Sequence, residues 1–179
     1  HPAYFNAGYL RDAYRLSENS VGFDARREVP GWTAPDFDDT DWPEPITGEA
    51  PGQGPWGSLE PRPFAQWSWS ELRDYPSVLR ESCPDDEEGM LYRCKLPYNA
   101  QVVPALSIEA PSGVRVEVST SLNSNCLRHI YITTEGEQRF EFPGWINGED
   151  ITYRFSSDQV TVKSLQYRET GYPAEFIGA

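Results

Sequence analysis

Val114-Arg115-Val116-Glu117-Val118 alternates apolar and charged residues one for one. Side chains on a strand point to opposite faces in turn, so this stretch predicts a strand with one buried and one wet face. Val160-Thr161-Val162-Lys163-Ser164-Leu165 repeats the pattern, and Pro111-Ser112-Gly113 suits a hairpin turn before Val114. Working outward, seven strands are predicted in the second half, at 91–96, 105–110, 114–119, 130–134, 139–142, 151–155 and 160–167. In the first half Val29-Pro30-Gly31-Trp32 and Asp38-Asp39-Thr40 are turn signals, and the Pro/Gly-rich segment 43–63 reads as a long surface excursion pinned by Trp56 and Leu59. Phe64–Trp69 alternates, which would place Trp67 and Trp69 on one strand face. Tyr9–Leu16 carries apolar residues at helical spacing, so a short helix or an edge strand are both open for the lead-in. Many short strands with frequent turns predict an all-β fold, an antiparallel two-sheet sandwich, with residues 1–20 as a lead-in segment and 21–179 as one domain.

The 179 residues carry 28 acidic and 15 basic side chains, a net charge of −13. Phosphate backbones and anionic lipid surfaces both need clustered cations, so neither nucleic acid nor membrane is an expected partner. No apolar run approaches the ~20 residues that span a bilayer. The chain begins at His1 rather than Met, which predicts a processed or excised piece. The three cysteines, Cys83, Cys94 and Cys126, match no zinc spacing. A Cys83–Cys94 bridge across the acidic loop 84–89 is one option, and Cys126 would then stand alone.

Two regions carry recurrent aromatic and turn residues. The first holds Asp24-Ala25-Arg26, Gly31-Trp32, Phe37-Asp38-Asp39 and Trp42. The second holds Ala110-Pro111-Ser112-Gly113, Thr134-Glu135-Gly136-Glu137-Gln138, Phe140-Glu141, Trp145-Ile146-Asn147-Gly148 and Tyr167-Arg168-Glu169-Thr170-Gly171-Tyr172, followed by Phe176 and Gly178. In this order they resemble the non-catalytic β-sandwich domain of bacterial α-L-rhamnosidases, the inverting enzymes of glycoside hydrolase family 78. The resemblance covers residues 20–179. It implies a jelly-roll sandwich of the galactose-binding type, lying beside an (α/α)6-barrel catalytic domain of the same enzyme. It also implies a role in degrading rhamnose-containing polysaccharide, and hence a periplasmic or secreted location. The acid and base of such enzymes sit on the barrel, so the resemblance implies no catalytic residue here and no activity of this chain alone.

The residues themselves agree. Glycoside hydrolysis takes two carboxylates at a set separation, but among 28 acidic residues such pairs arise by chance. Asp38 and Asp39 read as turn formers. His129, just before a predicted strand, reads as structural, and no phosphate loop is present. The oxygen-rich segments 36–41 and 85–88 lack an EF-hand spacing, so neither metal nor cofactor is expected. Sugar recognition combines aromatic faces with polar groups that read hydroxyls. The candidates for such contact are Trp67 and Trp69, with Asn123, Asn125 and Arg128 as polar partners; Trp56 and Asn99 are weaker ones. Trp67 and Trp69 could equally serve a core or a domain interface, while Trp32, Trp42 and Trp145 read as core. Two readings follow. One is an accessory domain that supports the barrel and touches carbohydrate. The other is an independent carbohydrate-binding module for rhamnose-containing glycans.

Overall fold

The computed structural model describes residues 1–7, 20–44, 48, 50, 52–54, 57–58, 60–83, 88–120 and 127–173. They form eleven strands and no α-helix: β1 Tyr4–Asn6, β2 Val21–Asp24, β3 Ser68–Trp69, β4 Arg73–Asp74, β5 Ser77–Ser82, β6 Met90–Ala110, β7 Arg115–Thr120, β8 Arg128–Ile132, β9 Gly136–Glu141, β10 Ile146–Phe155 and β11 Thr161–Gly171. A single 3-10 turn, Ala25–Arg27, follows β2. The protein is all-β, as the alternation predicts.

The two strands expected at 91–96 and 105–110 are one strand, β6, of 21 residues. The prolines between them suggest a break, because proline donates nothing to a ladder. In the fold they fall where β6 changes neighbours. Its first half lies between β5 and β10, and the β5 pairing ends at Lys95. Its second half lies between β9 and β11, and the β9 pairing starts at Ala105. Against β10 the register jumps from Lys95–Asp150 to Ala100–Gly148, so Pro97 sits in a bulged segment. Pro104 keeps its carbonyl engaged by the Phe142 amide at 3.0 Å.

This change of partners makes two layers. In one, β5, the first half of β6, β10, β7, β8, β2 and β1 succeed one another. In the other, β9 and the second half of β6 meet β11, whose far edge carries β3 and β4. All pairings are antiparallel except β2 with β8, so the sheet is mixed. The layers meet through aromatic rings. Phe140 of β9 lies 4.7 Å from Phe23 of β2 and 4.6 Å from Tyr131 of β8. The Tyr153 hydroxyl of β10 donates toward the Ala105 and Gln166 carbonyls at 3.2 Å and meets the Tyr75 hydroxyl at 3.0 Å. A buried phenol needs such partners, and these cross from one layer to the other.

Three local expectations are corrected. Pro111-Ser112-Gly113 is a turn, with Gly113 at φ 90°, but not a hairpin, because β10 lies between β6 and β7. On β11 the alternation does not continue in phase. Val162 faces Ile108 while Ser164 faces Ser107, so Lys163 is an extra residue. The bulge moves the buried set from Val160 to Leu165 and Tyr167. Cys83 and Cys94 are free thiols. Cys94 faces Val78, whereas Cys83 lies beyond the Ser82–Met90 pair. That is about five residues along the ladder, or roughly 16 Å, beyond the reach of a disulfide. The 9–16 segment, Trp56, Leu59 and Cys126 lie outside the described residues.

Several motif residues have structural tasks. Asp24 caps the 3-10 turn and takes two hydrogen bonds at 2.8 Å from the Arg26 guanidinium, which holds its carboxyl below the usual range. Asp38 accepts from the Thr40 amide and hydroxyl, the turn role expected of it. The Gln138 amide bonds Thr134 on both N–H and carbonyl, bonds the Gly136 carbonyl and accepts from the Tyr131 hydroxyl, fixing the β8–β9 connection.

Candidate functional site

The C-terminal half of β11 organises the edge where the predicted aromatics lie. Tyr167 points into the core against Tyr75, with ring centroids 4.9 Å apart. The Arg168 guanidinium binds both oxygens of Glu141 at 2.7 and 3.0 Å and donates to the Ser70 carbonyl at 2.9 Å. It holds the Glu141 carboxyl below its usual range. The Thr170 hydroxyl donates to the Ser68 carbonyl at 2.9 Å and accepts from the Trp67 indole N–H. Two main-chain pairs, Trp69–Thr170 and Ser68–Gly171, then fasten β3 to the sheet.

Trp67 and Trp69 have different surroundings. Trp67 is half-buried, 4.9 Å from the Tyr172 ring and 6.4 Å from that of Trp145. Trp69 is 57% exposed. It lines an open groove of about 480 Å³ together with Tyr98, Tyr172, Arg73 and Glu169. Tyr98 and Tyr172 are exposed as fully as Trp69. The Tyr98 hydroxyl lies 2.8 Å from each Glu169 oxygen, and the Arg73 guanidinium lies 3.0 Å from one of them. This contact with Glu169 pushes the Tyr98 phenol up. The Ser70 hydroxyl accepts from the Glu169 amide at 2.9 Å. The carboxylate is thus fixed at the foot of an aromatic wall. Both Tyr98 and Glu169 escaped the reading of the sequence. Tyr98 stands in the Pro97–Asn99 bulge, and only the fold brings it to a residue 71 positions later.

The other predicted residues lie elsewhere or outside the described part. Arg128 is on β8 in the opposite layer, partly buried, with Glu117 at 3.7 Å. Three strands, β7, β10 and β6, separate β8 from β11 along the hydrogen-bonded order. Arg128 is not among the residues that line the Trp69 groove. Asn123, Asn125 and Trp56 lie outside the described residues; Asn99 is exposed on β6. The tryptophans read as core are not buried: Trp32 and Trp145 are intermediate and Trp42 is exposed. The core is built instead from Tyr75, Tyr131, Tyr153, Tyr167, Phe23, Phe142 and Phe155 with Val, Ile and Leu.

A second concavity, about 400 Å³, runs over the outer face of the β9–β6–β11 layer between Leu72, Arg139 and Gln166. His129 is structural: 2% exposed, stacked on Phe142 at 5.7 Å and close against Gly144. Burial holds its pKa down at about 4, which leaves it neutral at physiological pH. Among the described residues no group of three or more His, Cys, Asp or Glu side chains is arranged to hold a metal ion. Nor is any helix among them long and apolar enough to cross a membrane.

No protein-family model and no curated protein matches the sequence. Solved structures do. The α-L-rhamnosidase from Dictyoglumus thermophilum superposes on 87% of this chain with a TM-score of 0.65 at 17% identity. The GH78 family rhamnosidase of Bacillus sp. GL1 matches 58% of the chain at TM-score 0.44 and 16% identity. The chain spans 18% of the first of these proteins and 12% of the second. At such identity the first likeness establishes a shared fold.

Proposed function

We propose that the chain is the non-catalytic β-sandwich domain of an α-L-rhamnosidase-like glycoside hydrolase, of the jelly-roll type, with residues 1–20 leading into a domain at 21–179. Its task is to support a catalytic (α/α)6 barrel in the same enzyme. The observation that carries this reading is the superposition of most of the chain on less than a fifth of a rhamnosidase. The exposed side chains of the edge strand β5 support it. Val78 and Leu79, on opposite faces of this strand, are 44% and 53% exposed, and each offers an apolar side chain at the sheet edge for a neighbouring domain to cover. A role in degrading rhamnose-containing glycans, and a periplasmic or secreted location, follow from the same reading.

Assay of the purified chain on an aryl α-L-rhamnoside tests the non-catalytic assignment. No turnover is expected, and turnover abolished by a single carboxylate substitution would overturn it. In the full-length enzyme, Val78→Asp with Leu79→Asp is expected to lower the melting temperature of the barrel. An unchanged barrel transition would remove β5 from the interface.

The Trp69 groove favours a second reading, an independent module that binds rhamnose-containing carbohydrate. Trp67 supports the wall behind it, while Asn123, Asn125 and Arg128 are the further polar contacts that this reading proposes. Titration with L-rhamnose, followed by tryptophan fluorescence, separates the two: a saturable change marks a module, and a flat response leaves the supporting role.

A further inference from the structure

We infer that the groove beside Trp69 binds the terminal residue of a neutral glycan, with the Trp69 indole against one face of the sugar ring and the Glu169 carboxylate accepting from two neighbouring ring hydroxyls. This rests on the second reading above and assigns its ligand class and its polar contact.

Three observations carry it. The indole of Trp69 is more than half exposed, yet its strand is fastened to β11 at two successive positions, by the Thr170 pairing and by the Ser68 hydroxyl on the Gly171 carbonyl at 2.8 Å. A rigid, bare aromatic face loses little entropy when a flat partner covers it. Next to it, Glu169 is oriented before any ligand arrives. Tyr98 and Arg73 hold its carboxylate, and Ser70 holds its backbone. A carboxylate offers about four acceptor sites, so two donors leave room for more. Sugar hydroxyls are donors of the right spacing for two oxygens on one carbon. Finally, the groove is the wrong place for an anion. The one cation among its described lining residues, Arg73, is already paired with Glu169, and the chain carries a net charge of −13. A uronate or a phosphate would meet the carboxylate head-on. The groove's volume of about 480 Å³ suits a small ligand.

The test uses the whole chain and four probes: the methyl glycosides of L-rhamnose, D-mannose and D-galactose, and free D-galacturonate. Tryptophan fluorescence and calorimetry read binding in the native protein and in Trp69→Ala, Trp69→Phe and Glu169→Gln. At least one neutral glycoside is expected to saturate, and galacturonate is not. Glu169→Gln is expected to weaken binding about tenfold, the scale of a hydrogen bond to a charged acceptor. Trp69→Ala should abolish the fluorescence response, while Trp69→Phe keeps a ring and part of the affinity. Trp69→Phe and Glu169→Gln decide the matter if the alanine variant is unstable. Unchanged binding in both would place the sugar elsewhere, sinking the groove while the module reading stands. Saturation by galacturonate in preference to the neutral probes would overturn the ligand class. No saturable binding by any probe would overturn the groove and the module reading together, leaving the supporting role untouched.

Discussion

Tyr153 and Tyr98 stand on strands of the same sheet, and each uses its hydroxyl to reach across the sequence, yet they end in opposite surroundings. Tyr153 is wholly buried and satisfies its hydroxyl on two main-chain carbonyls and Tyr75. Tyr98 is 54% exposed and spends its hydroxyl on the carboxylate of Glu169. The same division separates the layer interface from the β3–β11 edge. Inside, aromatic rings touch rings and their hydroxyls meet neutral partners: main-chain carbonyls and Tyr75 for Tyr153, the Gln138 side chain for Tyr131. At the edge, the exposed Tyr98 meets an ionised carboxylate, while the half-buried Trp67 indole donates to the neutral Thr170 hydroxyl. The lesson is that aromatic content says nothing of location; the partner of the polar atom does. Neutral partners accompany the buried hydroxyls of Tyr153 and Tyr131, and a charged partner accompanies the exposed Tyr98, because an ion is costly to remove from water.

The largest break in this contrast should come from Phe142, which is 1% exposed and touches both His129 and Phe140. Phe142→Ala is expected to cost about 3–5 kcal/mol, the range for emptying a large aromatic site. Tyr172→Ala at the edge should cost a small fraction of that, and urea unfolding of the two variants checks the difference.

Second in size is an acid effect at His129. Its pKa is about 4 in the fold against 6.5 in the unfolded chain. The fold keeps it neutral, so the stabilisation is complete above pH 6.5. Below that the unfolded chain takes up a proton that the folded one refuses. Stability therefore falls between pH 6.5 and 4, by about 2–3 kcal/mol at pH 4.5. Urea midpoints of the native protein and His129→Gln, compared at pH 7.5 and 4.5, should show this part of the loss only in the native protein. Equal losses in both would clear His129 of the role.

Smaller again is Tyr153→Phe, which strips the partner from Tyr75 and should cost about 1–3 kcal/mol. The smallest effect is expected at Trp69→Ala, within about 0.5 kcal/mol of the native stability, since the indole is mostly in solvent. A large loss there would make Trp69 a packing residue and erase the contrast.

Much of the fold could be read from the residues. Val116 and Val118 are buried and Arg115 and Glu117 face outward, as the alternation requires. β8, β9 and β10 overlap the expected strands: β8 lies two residues earlier at both ends, β9 begins three and ends one residue earlier, and β10 begins five residues earlier and ends at Phe155 as expected. What escaped is what pairing decides. The continuity of β6 through Pro97 and Pro104 depends on which neighbours each half finds. The phase change on β11 depends on one inserted residue opposite Ile108 and Ser107. Trp32, Trp42 and Trp145 read as core because tryptophan is large and apolar, but the medium-sized phenylalanines and tyrosines fill the space between the layers. The site was half legible. Trp69 was named because it alternates with Trp67, and it is the exposed member. Glu169 and Tyr98 carry no local signal, since their meeting depends on β6 and β11 lying side by side.

That side-by-side arrangement has a consequence for the order of events in the cell. The ladder that seats Trp69 joins it to Thr170, 101 positions later in the chain. A ribosome adding about 5–20 residues each second needs roughly 5–20 s to cover that distance. A like time separates the emergence of Trp69 from that of Thr170, and between the two the strand of Trp69 has no β11 to pair with. The groove therefore forms only after β11 has joined β6 and β3, and anything that captures a nascent Trp69 does so before the native site can compete.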